Sequence, residues 1–97
     1  MDMIDKWAVN ELQLFISSDY QLYHGQQLSI EKNLTKRWEK GTYKPNLAVK
    51  LWLYLADAGA RKYKIEIPNS DVKFTKPIRT AAAAEMEEDF RKELEQK

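Results

Sequence analysis

Five cations, Lys32, Lys36, Arg37, Lys40 and Lys44, crowd the stretch KNLTKRWEKGTYKPN around Trp38 and Tyr43. Lys32, Lys36 and Lys40 recur every fourth residue, which on a helix makes a ridge with steps of about 6 Å. Such a ridge can meet successive phosphates, and Trp38 and Tyr43 are types that stack on bases. The same residues also describe the solvated side of an ordinary helix and its exit loop. Trp38 shares a helical face with Ile30 and Leu34, which places it in the core rather than in a base-stacking site. The helix, short turn, helix order has a faint likeness to a helix-turn-helix. In that motif, however, the second helix is polar and enters a groove. Here it is the most apolar segment of the chain.

Other chemistry has little to stand on. The chain has no cysteine, which removes thiol catalysis, disulfides and thiolate metal sites. His24 is the only histidine, and nothing in the sequence marks a partner for it. Three glycines, Gly25, Gly41 and Gly59, are too scattered for a phosphate loop. Glu85, Glu87, Glu88 and Asp89 could attract a divalent cation, but contiguous acids on a helix point in different directions. They read as a solvated face. No catalytic, cofactor-binding or metal-ligating residue is therefore expected, and no enzyme. Protein–protein association has a firmer motive, because the apolar surface exceeds what four short helices need to shield. The candidates for such an interface are Trp52 and Tyr54 on the third helix, with Met86 and Phe90 on the last.

The elements that must position these residues follow from periodicity. The 97 residues, 43% of them hydrophobic, suffice for one small domain and one core. An amphipathic helix is expected over residues 2–17, with Ile4, Ala8, Leu12, Phe15 and Ile16 on one face. Residues 18–27 fit either a helical turn or a loop. A second helix is expected from Leu28 or Ser29 to Lys40, with Ser29 as its cap and Gly41 ending it. Pro45 suits the first turn of a third helix over residues 45–58, which Gly59 either ends or lets continue to Tyr63. Tyr63, Ile65, Ile67, Val72 and Phe74 alternate with polar residues, so residues 63–74 read as a two-stranded ribbon or as extended coil. A last helix begins near Thr75, with Ile78, Ala82, Met86, Phe90 and Leu94 spaced by four. The fold class expected is all-α: a single domain, 1–97, of about four helices.

Net charge is +1, laid out as −3 over residues 1–19, +6 over 20–76 and −2 over 77–97. That layout fits a basic patch, or end helices pairing against a basic middle. No apolar run approaches the roughly 20 residues that span a bilayer, and the N-terminus lacks a signal-like core. A soluble cytoplasmic protein without a membrane partner is expected.

Leu22-Tyr23, Ile30, Asn33-Leu34, Lys36, Lys40-Gly41, Tyr43, Ala48, Lys50-Leu51-Trp52, Tyr54-Leu55, Gly59-Ala60 and Lys62-Tyr63 together form a pattern. It resembles a group of short uncharacterised proteins of tailed-phage and prophage genomes. The likeness covers about residues 11–63. It implies a phage-type accessory protein and carries over no catalytic residue. Asn33, polar inside a helix, is expected to bond the loop near Tyr43 or to face a partner.

Overall fold

In the computed structural model, which describes residues 5–97, the chain forms four helices and, among those residues, no strand. They are α1 (Lys6–Ser18), α2 (Leu28–Glu39), α3 (Pro45–Glu66) and α4 (Lys76–Glu95). Ile4 and the expected start at residue 2 lie outside the described residues. Asp5 opens α1 in extended conformation, its carboxylate accepting from the Trp7 and Ala8 N–H groups at 2.9 and 3.3 Å.

Asp19 ends α1 and starts the next turn at once. Its backbone is extended, and its carboxylate accepts from Leu22 N at 3.0 Å and from Lys62 Nζ at 2.8 Å. Lys62 first, and the Leu22 N–H second, hold the Asp19 carboxyl below its ordinary range. The chain then passes through one helical turn (Tyr20–Leu22) and one π-helical turn (Tyr23–Gln27) straight into α2. Residues 18–27 are therefore mostly helical. Ser29, expected to cap α2, lies inside continuous helix instead, because the π turn supplies α2 with a preceding turn already wound.

Gly41 does end α2, at φ 73°, with Thr42 N–H on the Arg37 carbonyl (2.8 Å) and Gly41 N–H on Trp38 (3.1 Å). These are the two bonds of a Schellman cap. Pro45 occupies the first turn of α3, as expected. Gly59 does not end that helix. It is buried, and a Cβ there would stand 2.6 Å from Ile16 Cγ1 and 3.0 Å from Cδ1. Its missing side chain is what lets α1 lie against α3.

No ribbon forms at residues 63–74. α3 continues through Glu66, because Tyr63 falls on the same buried line as Trp52, Ala56 and Gly59. Residues 67–75 then run without regular structure, and Tyr63 and Phe74 meet edge to face at 4.8 Å. Thr75 opens α4, with Pro77 in its first turn. α3 and α4 pack along each other more extensively than any other pair. Ala56, Ala82 and Ala83 are fully buried, and their small size permits that approach. Trp52 (1% exposed) and Phe90 form the centre of the core with ring centroids 5.9 Å apart. Among the described residues, no helix is long and apolar enough to cross a membrane.

The α1–α3 contact gives a first prediction. Gly59→Ala gains about 1 kcal/mol of helix propensity but forces a methyl into a stiff, buried Ile16, an overpacking cost of about 1–3 kcal/mol. Urea unfolding should show net destabilisation in the native background. In an Ile16→Ala background the same substitution should become neutral or stabilising.

Candidate functional site

The cations singled out by spacing are all at the surface. Lys32, Lys36, Arg37, Lys40 and Lys44 are exposed, and among the described residues none has a carboxylate oxygen within 4.0 Å. Lys32 and Lys36 border a shallow hollow with His24 and Asn33, whereas Arg37 and Lys44 border another with Leu47, Lys50 and Leu51. Asn33 neither reaches the loop near Tyr43 nor is buried: its Oδ1 accepts from Arg37 Nε at 3.0 Å, one turn on. His24 is exposed, and its ring neighbours are Tyr20 and Tyr23.

Trp38 and Tyr43 do come together, at 5.4 Å and edge to face, but both are half-buried against the core. Tyr43 is held from its far end. Its hydroxyl donates to Glu87 Oε2 at 2.7 Å, and Arg91 Nε lies 3.1 Å from the same oxygen. Glu87 is 4% exposed and is the one charged side chain among the buried residues described. Sequence reasoning placed it in a solvated acidic face. Nothing local distinguishes it from its neighbours Glu85 and Glu88, which reach Gln13 (3.0 Å) and Lys92 (3.3 Å) at the surface. The four acids thus diverge, and no cluster of three metal-ligating side chains occurs among the described residues.

The expected protein interface is only partly available. Trp52 and Phe90 are core residues and correct the expectation that they face a partner: their rings fill the space between α3 and α4. Met86 is half-buried against that core. Tyr54 is exposed at 74%. It belongs to a line along the outer side of α3, with Leu47 (48%) and Ile65 (78%) exposed and Leu51 and Ala58 half-buried between them. At 100° per residue these five lie within about 60° of one another, and roughly 150° from the buried line through Trp52, Ala56, Gly59 and Tyr63. The helix therefore carries two apolar faces, of which the fold covers one. The second was foreshadowed by the near-complete apolar coverage of residues 45–58, although its extension to Ile65 required the longer helix.

Burial first, and the Glu87 carboxylate second, raise the Tyr43 phenol well above its ordinary value. The folded chain thus holds that proton more tightly than the unfolded chain does. Tyr43's contribution to stability is complete below the ordinary phenol range near pH 10 and is lost as pH rises beyond it. Tyr43→Phe should destabilise by about 1–3 kcal/mol at neutral pH, since Glu87 stays buried with Arg91 alone. Above about pH 10, urea midpoints should fall more steeply for the native chain than for this variant.

No protein-family model, no curated protein and no solved structure matches this chain.

Proposed function

We propose that the chain is a non-enzymatic protein-binding or assembly module, a soluble cytoplasmic accessory protein of phage type that works without a cofactor. The observation that carries this reading is the uncovered stripe Leu47, Leu51, Tyr54, Ala58 and Ile65 on α3. Steps of four, three, four and seven residues are those of a helix–helix seam. α3 has 22 residues, about 33 Å of helix, so the seam is long enough for a stable contact. Each exposed apolar group costs about 25 cal/mol per Å² while it faces water, and Leu47, Tyr54 and Ile65 stay exposed although Leu51 and Ala58 between them pack partly on the core. A second copy meeting it across a two-fold axis is the simplest partner. The phage-type assignment rests on the resemblance of residues 11–63 alone.

A second reading has an observation of its own. Lys32, Lys36, Arg37, Lys40 and Lys44 are exposed and have no carboxylate partner among the described residues, which suits a small nucleic-acid-associated accessory protein. Its division between two hollows makes it the weaker of the two.

Light scattering across a concentration series separates them. The native chain should exceed monomer mass at high concentration, while Tyr54→Arg/Ile65→Asp should remain monomeric with an unchanged thermal midpoint. A native chain that is strictly monomeric at the highest concentration removes the self-association form of the proposal. For the second reading, a random DNA duplex should bind at low salt, and binding should fall steeply as salt rises. Absence of binding at low salt ends it.

A further inference from the structure

The last turns of α3, residues 67–75 and the start of α4 enclose a groove of about 640 Å³. Its wall is mixed, with Tyr63, Ile67, Val72 and Phe74 supplying the apolar part. Tyr63 and Phe74 are locked edge to face, and the Tyr63 hydroxyl and Ser70 Oγ lie 3.1 Å apart in a hydrogen bond. Arg79 closes one end, pairing with Asp57 at 2.7 Å and donating to the Phe74 carbonyl at 2.6 Å. That pair neutralises itself and fixes the segment. Arg61, Lys64 and Lys73 remain around the groove, exposed and without a carboxylate partner among the described residues.

Two further features add to this positive, unfilled character. α4 begins at Thr75, which also lines the groove, and no side chain caps its first N–H groups. In addition, the backbone N–H groups of Lys73 and Phe74 have no acceptor among the described residues.

We propose that this groove binds an acidic, extended peptide segment of a partner protein, anchored by a large apolar side chain. The carboxylates would meet Arg61, Lys64, Lys73 and the α4 N-terminus, the anchor would cover Val72 and Phe74, and a peptide carbonyl would accept from the free Lys73 or Phe74 N–H. A duplex nucleic acid supplies the negative charge but nothing to cover the apolar part of the wall. A membrane surface is flat, whereas these groups surround a concavity. The site is separate from the stripe on α3 and does not depend on self-association.

The test is fluorescence anisotropy of the full chain with a labelled octapeptide in which glutamate alternates with leucine and phenylalanine. Saturable binding at low salt is expected. The triple variant Arg61→Glu/Lys64→Glu/Lys73→Glu should weaken it by roughly tenfold or more while keeping the native thermal midpoint. Tyr54→Gln, on the stripe and away from the groove, should leave it unchanged. Should the triple variant unfold, Lys73→Glu alone and amide shift mapping on the native chain decide: shifts confined to residues 57–79 support the groove, and shifts on α2 overturn it. The proposal also falls if the peptide does not bind, if the charge variants bind equally well, or if a polyglutamate of equal length binds as tightly. Preferential displacement of the peptide by a DNA duplex or by anionic phospholipid vesicles would assign the groove to those partners instead.

Discussion

The rotation of α3 about its own axis decides what is core and what is surface, because this one helix contacts every other helix. Four contacts set that rotation. Gly59 accepts Ile16 from α1 where any side chain would collide. Lys62 is tied to Asp19 at the end of α1, and Asp57 to Arg79 at the start of α4. Trp52 points to the centre, where it meets Phe90. Steric fit fixes one side of the helix, and the two ion pairs fix its flanks. The line Leu47, Tyr54, Ile65 is left outside as a consequence, whatever its hydrophobicity.

Asp19 shows how little chain is needed to make a corner. One carboxylate receives the Leu22 N–H of a new turn and the Lys62 ammonium of α3, while its backbone breaks α1. The π turn that follows adds a residue to the winding, which re-aims α2 without a loop. Tyr43 does comparable work at the other corner. Its ring lies against Trp38 of α2 and its hydroxyl reaches Glu87 of α4, so the short α2–α3 connection is bound to both neighbours.

What the sequence made legible is what local chemistry controls. The Gly41 cap, the prolines at the starts of α3 and α4, and the apolar faces of α1 and α2 follow from residue type and spacing, and the structure has them. The alternation Tyr63, Ile65, Ile67 misled because a period of two over so few residues is also tolerated by a helix end. What settles it is the distant wall that buries Tyr63. Glu87 was illegible for the same reason: its burial is created by Tyr43, 44 residues earlier in the chain. Trp52 and Phe90 were expected outside because the count of large apolar groups exceeded what four short helices need. α3 runs to Glu66, past even the alternative end at Tyr63, and its exposed large apolar groups are Leu47, Tyr54 and Ile65 instead.

The charge layout has a further consequence. Pairing of acidic ends against a basic middle would have cancelled the +6 of residues 20–76. Among the described residues only Asp19–Lys62 and Asp57–Arg79 join distant segments, and only the first takes a cation from that middle. The remaining ion pairs, Lys62–Glu66, Arg91–Glu87 and Lys92–Glu88, are one-turn contacts within α3 or α4. At the C-terminal end Glu87 and Glu88 pair within their own helix, while the cations of α2 and Arg61, Lys64 and Lys73 of the groove have no carboxylate partner among the described residues. A chain with net charge +1 consequently presents strongly basic surfaces, and the two differ in kind. The cations of α2 stand on an exposed polar face, so any attraction they exert is electrostatic and is screened over about 10 Å at moderate salt. The groove beside α3 combines its cations with apolar side chains, so part of the affinity for the proposed peptide would be independent of salt. On the proposed reading, selectivity for a partner would come from the groove, and long-range attraction of an anion from the cations of α2.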